Sequence, residues 1–250
     1  MLLIDCGSTV FQEMALKSVL LDEYQNLTGF CDLRDKPNDK PLSLLDGVNS
    51  LFVYITHTHG DHVGSLATLL DYFQWRRRKP VTFVVTDESL KAYLSELLIL
   101  QNSIEDKKSI AWMNVEDLPV AFPDIQRAEA ISLKHTVGMD SHALVLELKQ
   151  TAGFSGGLLF YTGDTSDIKT VKEFLAKNCS RIYRVYIDVT TVASPVHINM
   201  ATLGTIVAEV APDICHKIYC MHINDGITRD EYEYHAGKYG FNVVKPWNIQ

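Results

Sequence analysis

The feature that most constrains this chain is a cluster of histidines directly after an apolar, strand-like segment. Residues 56–62 read Thr-His-Thr-His-Gly-Asp-His and follow the letters Leu-Phe-Val-Tyr-Ile. Imidazole nitrogens and carboxylate oxygens are ligands that zinc, manganese and iron accept. The alternate spacing of His57 and His59 directs both rings to one side of an extended segment, whereas Asp61 and His62 turn onto a following helix. One short loop can therefore supply two ligands to each of two ions.

Composition places this motif in an ordinary globular chain. The 250 residues are 46% hydrophobic and 22% charged, which excludes disorder as the main state. The net charge of -8 argues against a protein that grips a nucleic-acid backbone through a broad basic face. Five cysteines, never spaced as C-x-x-C, indicate reduced thiols. No apolar run is long enough to span a bilayer, so we expect a soluble, cytoplasmic protein without a membrane partner.

Short apolar runs alternate along the chain with segments whose apolar residues recur every three or four positions, which predicts an α/β fold. No repeat or flexible linker interrupts the sequence, so we expect a single domain over residues 1–250. Asp87 and Asp167 stand where helix N-caps belong, and strands near 144–148 and 158–162 are expected to form a hairpin. The strand-like runs are 2–4, 51–55, 81–85, 144–148, 158–161, 182–187 and 217–221.

Most of the distinctive polar residues come directly after one of these apolar runs. Layered α/β proteins place their chemistry in the loops beyond strand ends, where the sheet fixes the geometry and the loops stay accessible. The sequence therefore predicts a site built from strand-end side chains. These are Asp5, His57, His59, Asp61, His62, Asp164, Asp188 and His222.

Five landmarks in order resemble the metallo-β-lactamase fold superfamily. They are Leu-Leu-Ile-Asp-Cys-Gly-Ser at 2–8, the histidine cluster at 56–62, a lone His135, Tyr-Thr-Gly-Asp-Thr at 161–165, and Met-His-Ile-Asn at 221–224. The resemblance covers essentially the whole chain. It implies a four-layer αβ/βα sandwich with a two-metal site.

The resemblance also implies a role for each matched residue. The implied cofactors are two divalent transition metal ions, Zn²⁺ first, with Mn²⁺ or Fe as alternatives. Asp5 would not bind metal but would support the histidine loop through hydrogen bonds. His142 is the rival of His135 as a ligand. The implied ligands are His57, His59 and His135 for the first ion and Asp61, His62 and His222 for the second, with Asp164 bridging both.

A second stretch of the sequence resembles the ribonuclease Z branch of this superfamily. It comprises Tyr-Ile-Asp-Val-Thr-Thr from Tyr186 and Pro-Val-His-Ile-Asn-Met-Ala-Thr at 195–202. In that branch an acidic residue and a histidine at the start of a helix belong to the active site, and Asp188 and His197 match them. The match is partial: Ile-Asp-Val-Thr replaces His-Glu-Ala-Thr, and Asn199 replaces Ser or Thr.

These residues point to phosphodiester hydrolysis. A carboxylate at the position of Asp164 favours dinuclear hydrolases over lactamases, in which a cysteine commonly takes that place. We expect a metal-activated water to attack phosphorus, with Asp61 orienting that water. His197, supported by Asp188, is expected to protonate the departing oxygen.

The substrate is expected to be small. The chain has no long insert rich in Gly, Pro and Lys or Arg that could form a nucleic-acid arm, and the basic run at 75–79 ends a helix, where cations meet the helix dipole. Compact relatives in this branch include cyclic-nucleotide and cyclic-phosphate phosphodiesterases, among them phage enzymes. The alternatives are a thioester or lactone hydrolase and a ribonuclease Z-like RNA endonuclease.

The start of the chain departs from the branch. Members normally carry further residues ahead of the Leu-Leu-Ile-Asp motif, whereas this sequence begins on it. Either the start of the sequence was placed late, or the edge strand is dispensable or covered by a partner chain. Because pairing is also common in this family, we expect a homodimer.

Overall fold

The computed structural model describes residues 1–8, 10–11, 14, 45, 47–101, 110–223 and 226–244. These residues form two compact units, one ending at Trp112 and the other beginning at Met113. Each unit combines a sheet with helices, which confirms the predicted α/β class. The single-domain organisation stays a prediction. Cys31, one of the five cysteines, and Asn224, the last residue of the Met-His-Ile-Asn motif, lie outside the described residues.

The first unit is built on a four-stranded sheet in the order β1-β2-β3-β4, in which β2 pairs in parallel with both β1 and β3. The predicted strands at 2–4 and 81–85 have the observed bounds, and the run at 51–55 ends one residue early. The strands are β1 (Leu2–Ile4), β2 (Leu51–Tyr54), β3 (Val81–Val85) and β4 (Ala111–Asn114), whose last two residues belong to the second unit. The helices are α1 (Gly60–Val63), α2 (Leu66–Asp71) and α3 (Glu88–Leu100).

Helix α2 packs an apolar row into the core of this unit. Leu66, Leu69 and Phe73 are fully buried with Val53 and Phe83 of the sheet. Burying each such side chain stabilises the unit by about 1.5–3 kcal/mol, which fixes the loop between β2 and α2 against the sheet. The helix continues as a π-helical segment over Tyr72–Arg77, so the basic run does end a helix.

The second unit is built on a seven-stranded sheet in the order β11-β10-β8-β7-β6-β5, with β9 paired to β8 off this path. The strands are β5 (Ile125–Thr136), β6 (Met139–Leu148), β7 (Gly157–Tyr161), β8 (Ile182–Thr190), β9 (Ile198–Asn199), β10 (Ile218–Met221) and β11 (Asn242–Val243). The helices are α4 (Leu118–Ala121), α5 (Ile168–Asn178), α6 (Met200–Val210) and α7 (Arg229–Gly237).

The predicted hairpin is present. Strands β6 and β7 are antiparallel, with Leu144 opposite Tyr161 and Leu148 opposite Gly157. Gly156 has φ 72°, and a Cβ there would lie 2.8 Å from the carbonyl oxygen of Leu148, so only glycine fits this turn. The hairpin places the Gly-Asp motif directly beyond β7.

The second sheet divides at the far end of β8, and we call this point the fork. Strand β8 pairs with β10 as far as Asp188, which lies opposite Met221, and from Val189 onward it pairs with β9, with Val189 opposite Ile198. The sequence predicted that Asp188 follows a strand end. That prediction was wrong, because pairing with β9 extends β8 to Thr190 and leaves Asp188 inside the strand.

Both predicted N-caps are confirmed. The carboxylate of Asp87 accepts a hydrogen bond from the Leu90 N–H at 2.9 Å, and that of Asp167 accepts one from the Thr170 N–H at 3.1 Å. The four cysteines among the described residues are free thiols, as expected. No helix in the described part of the chain is long and apolar enough to cross a membrane.

Candidate functional site

The histidine loop of the first unit runs from the end of β2 into α1. His57 and His62 are buried, whereas the side chain of Asp61 is 59% exposed. Nε2 of His57 lies 3.2 Å from Nδ1 of His59, so the alternate spacing does bring the two rings to one side. Two nitrogens that bind one tetrahedral zinc at about 2.0–2.1 Å lie roughly 3.3 Å apart. This pair therefore fits a shared divalent ion.

Asp5 supports this loop, as predicted for it. Its buried carboxylate accepts hydrogen bonds from the Thr56 N–H at 2.8 Å and from the Thr56 hydroxyl at 2.9 Å, and it lies 2.8 Å from Nδ1 of His62. A carboxylate only accepts, so Nδ1 of His62 carries the proton and Nε2 is the nitrogen suited to a metal. Nδ1 of His57 lies 3.1 Å from the same Thr56 hydroxyl.

The backbone around Asp5 is fitted closely to the loop. Asp5 has φ 59°, a left-handed conformation that costs a non-glycine residue about 1–2 kcal/mol. The Cys6 N–H donates to the carbonyl of His62 at 2.7 Å, and a Cβ on Gly7 would lie 2.0 Å from the carbonyl oxygen of Asp61. The close contact with α1 thus requires glycine at position 7, and the strain at Asp5 is stored where function is expected.

In the second unit, the fully buried Asp188 holds two imidazole rings. One carboxylate oxygen lies 2.6 Å from Nδ1 of His197 and accepts the Thr165 N–H at 3.1 Å. The other oxygen lies 3.1 Å from Nδ1 of His222. Both rings therefore carry their proton on Nδ1 and are oriented by one carboxylate. The sequence predicted the support of His197 but not that of His222.

Asp164 lies beside three imidazoles. One of its carboxylate oxygens is 3.9 Å from Nε2 of His135, 4.0 Å from Nδ1 of His197 and 3.9 Å from Nε2 of His222. Nδ1 of His135 is fixed by the carbonyl of Val196 at 3.1 Å, which sets the orientation of that ring. Asp164 itself is 3% exposed, so a cation among these groups would compensate its buried charge.

The ligand atoms of four residues in this unit lie within 4.8 Å of one another, a spacing compatible with a divalent metal site. The four are Asp164, Asp188, His197 and His222. The sequence assigned Asp188 and His197 to catalysis rather than to metal binding. The hydrogen bonds of Asp188 to two Nδ1 atoms favour the supporting role, because each of its oxygens already accepts an N–H.

The predicted residues thus fall into two groups, one in each unit. His57, His59, Asp61 and His62 are together in the first, and His135, Asp164, Asp188, His197 and His222 in the second. Three supporting residues were missed: Thr56 and Thr165, described above, and Thr162, whose hydroxyl accepts the Asp188 N–H at 3.2 Å. The threonines flanking Gly-Asp at 162–165 were the available signal. His142 belongs to no cluster of potential ligands in the described residues.

The cysteines near these groups are not suited to metal binding or nucleophilic attack. Burial raises the pKa of the Cys6 thiol to about 11 and that of the Cys220 thiol to about 12. Metal binding and nucleophilic attack require the thiolate. Histidine and aspartate are therefore the donors of the candidate site.

Known structures share this fold. The metallo-β-lactamase fold protein YhfI from Bacillus subtilis superposes with a TM-score of 0.59 at 14% identity, over 98% of this chain and 84% of that one. A diphosphatase of the PhnP family superposes with a TM-score of 0.56 at 13% identity, over 97% of this chain and 76% of that one. The predicted metallo-β-lactamase fold is confirmed. No curated protein matches the sequence.

One family profile matches the sequence itself. It is described as Anti-Pycsar protein Apyc1, and the match covers residues 45–247, well over half of the chain. The matched region includes the histidine loop and every candidate residue of the second unit. By this match, the chain belongs to the Anti-Pycsar protein Apyc1 family.

Proposed function

We propose that this protein is a metal-dependent phosphodiesterase that hydrolyses a small nucleotide-type or cyclic phosphodiester. The observation that carries this proposal is the pair of His197 and Asp188, with Nδ1 and a carboxylate oxygen 2.6 Å apart, beside the candidate ligands Asp164 and His222. An alkoxide leaving group needs a proton donor, and a histidine held by a buried carboxylate is suited to that role.

The donor set fits divalent transition metal ions. Histidine nitrogens and carboxylates without a thiolate suit zinc, manganese and iron alike. When bound, such ions supply an activated water and neutralise charge on the phosphoryl oxygens. The ligands we propose are His57, His59, Asp61, His62, His135, Asp164 and His222.

His197 would act through its other ring nitrogen. Because Asp188 accepts the proton on Nδ1, the proton that His197 donates must lie on Nε2. The carboxylate of Asp188 stabilises the imidazolium before that transfer, and burial strengthens their attraction. The side chain of His197 is 18% exposed, so the ring is held in place and still open to a small substrate. Asp61, the most exposed member of the first group, would orient the attacking water.

Charge and chain architecture support a small substrate. The net charge of -8 opposes binding of a long polyanion, and the sequence holds no insert resembling a nucleic-acid arm. The resemblance to compact relatives that include cyclic-nucleotide phosphodiesterases favours a cyclic nucleotide over RNA. We also propose a homodimer, which light scattering checks: a mass near 28.2 kDa at micromolar concentration would contradict it.

The test compares two substrates in one variant. His197→Ala should slow the hydrolysis of a cyclic nucleotide by about 100- to 10,000-fold, because a positioned general acid accelerates a reaction by about that factor. It should slow bis(4-nitrophenyl) phosphate much less, because nitrophenolate leaves without protonation. His216→Ala, which alters an exposed histidine of the same unit, is the matched control and should leave both rates unchanged.

The other outcomes are equally informative. Equal losses on both phosphodiesters would mean that His197 binds phosphate rather than donates a proton. If the variant lost no activity on either substrate and the protein hydrolysed a thioester or a lactone, the proposed activity would be that of a thioester or lactone hydrolase instead of a phosphodiesterase. Cleavage of RNA but not of cyclic nucleotides would favour the ribonuclease Z-like alternative.

A further inference from the structure

Tyr232 on α7 places a phenol hydroxyl inside the fork. Its ring is fully buried, and the hydroxyl lies 2.8 Å from the carbonyl oxygen of Val189 and 2.9 Å from that of Met221. A carbonyl oxygen only accepts, so the single phenolic proton is shared by both. The two carbonyls belong to the residues next to Asp188 and His222.

The fork explains why a donor is needed at this point. Strand β8 leaves β10 after Asp188 and pairs with β9, so the ladder that aligns the two strands stops where the two functional side chains emerge. Beyond that point the relative position of Val189 and Met221 depends on other contacts. The Tyr232 hydroxyl bridges their carbonyls and takes the place of the missing ladder bond.

The residue after Met221 also requires support. His222 has φ 61°, a left-handed conformation that a non-glycine residue keeps only when its surroundings impose it. Its Nδ1 must still reach the carboxylate of Asp188, which it does at 3.1 Å. A donor that holds the carbonyl of Met221 restricts the peptide unit that sets this backbone angle.

We propose that Tyr232 is a positioning residue that sets the spacing between Asp188 and His222 and thereby the orientation of the His222 ring. The inference rests on the proposed function in one respect, the assignment of His222 as a metal ligand. It deepens that function, because a single hydroxyl outside the ligand set controls the geometry of both a ligand and the carboxylate that holds His197.

The test removes the hydroxyl and keeps the ring. Tyr232→Phe retains the buried aromatic packing, and Tyr234→Phe makes the same change on the same helix at a side chain that is 66% exposed. Each full-length protein is titrated with Co²⁺ and followed by its visible absorption, which reports ligand geometry. We expect cobalt affinity in Tyr232→Phe to fall by about 10- to 100-fold, with an altered spectrum. Tyr234→Phe should match the wild-type protein.

A second background separates positioning from general stability. In a His222→Ala protein, the further change Tyr232→Phe should leave cobalt affinity unchanged, because the hydroxyl acts through a ligand that is no longer there. An equal fall in both backgrounds, or wild-type affinity and spectrum in Tyr232→Phe, would overturn the inference. A wild-type protein that binds no cobalt would overturn it as well.

The readout is independent of the substrate. If cobalt binding responds as expected but no phosphodiester is hydrolysed, the proposed function fails and the role of Tyr232 stands. If cyclic nucleotides are hydrolysed and the cobalt spectra of all three proteins agree, the role of Tyr232 fails and the proposed function stands.

Discussion

The first unit draws its histidines from one loop, whereas the second draws them from separate strand ends spread from His135 to His222. In the first, the backbone between β2 and α1 is enough to bring His57 and His59 within 3.2 Å. In the second, only the pairing of the strands brings the ligands together. A cluster of the first kind depends on local conformation, and one of the second kind depends on the integrity of a sheet.

Both units nevertheless use a buried aspartate to orient imidazoles through Nδ1. Asp5 holds one ring, that of His62, and is itself in the left-handed conformation. Asp188 holds two rings from regular strand geometry, and there it is His222 that has the left-handed backbone. Substitution of Asp188 would therefore disturb two imidazoles of the second unit, whereas substitution of Asp5 would disturb one imidazole of the first.

The largest effect should follow loss of the proposed bridging ligand. Asp164→Ala should deplete both metal positions, because the remaining ligands of each ion lose a shared anion. Asp61→Ala, the carboxylate counterpart in the first unit, should empty only one position. Elemental analysis after purification without chelator should then give about two ions per chain in the wild type, none in Asp164→Ala and one in Asp61→Ala. Equal metal contents in the two variants would remove the distinction between them.

The two supporting aspartates provide the next comparison. Asp188→Asn should lower the turnover of a cyclic nucleotide by at least about 100-fold, because His197 loses the anion that stabilises its charged form. Asp5→Asn should lower it by about 10- to 100-fold, through a looser His62 alone. Turnover and metal content are measured on both variants. A larger loss in Asp5→Asn would show that the single-ring support is the more important one.

Among the described residues, each unit has one deeply buried thiol, and the two thiols allow a comparison by pH. Burial raises the pKa of Cys6 to about 11 and that of Cys220 to about 12, above the ordinary value of 9.0. Both thiols should resist iodoacetamide at pH 8 in the native state and react on unfolding, as mass spectrometry of the modified peptides would show. Native labelling at the rate of Cys179 would contradict this.

The same pKa values determine whether the free energy of unfolding rises or falls at alkaline pH. The unfolded thiols ionise first, so their contribution to stability is complete below pH 9 and is lost as the pH rises towards 11 for Cys6 and 12 for Cys220. Denaturant unfolding at pH 8 and pH 10.5 should show lower stability at the higher pH. A rise in stability would exclude buried thiols as the dominant titrating groups.

The smallest expected effects concern the helix caps, one in each unit. Asp87→Ala at α3 and Asp167→Ala at α5 should each lower the free energy of unfolding by about 1 kcal/mol, because each loses an N-cap acceptor. Urea unfolding measures both. Each aspartate also accepts from a threonine hydroxyl, Asp167 from Thr170 at 2.9 Å in a partly buried contact and Asp87 from Thr86 at 3.2 Å in an exposed one. The loss at Asp167 should therefore be the larger, and a reversed order would contradict this.

The sequence predicted best where signals are local. The run at 81–85 became β3 with the same bounds, and the histidine loop was recognised because its ligands are consecutive. Strand β5, by contrast, was expected only as a β-like run that ends at His135 and was given no bounds, since its exposed polar residues interrupt the apolar pattern. In the second cluster, Asp164, Asp188 and His222 were predicted as site residues from their positions after apolar runs. Their roles, and the membership of His135 and His197, were inferred only through a family resemblance, because no spacing relates residues that a sheet brings together.

Tyr232 shows most clearly what a sequence cannot reveal. Its partners are backbone carbonyls, one of them 43 residues away, and a carbonyl has no signature in the letters of a sequence. The fork could not be predicted from the sequence either, because β9 is only two residues long. Short pairings of this kind depend on the surrounding fold rather than on the propensity of their own residues.

The two-residue pairing at the fork also limits how this family can diversify. His197 directly precedes Ile198, whose partner is Val189, so the loop 191–196 is anchored to the sheet at both ends. An insertion that slipped this register by one residue would turn His197 to the opposite face of the strand. Changes in what this loop recognises should therefore arise by exchange of side chains at constant length. A survey of natural variants should then find the loop constant in length but variable in composition.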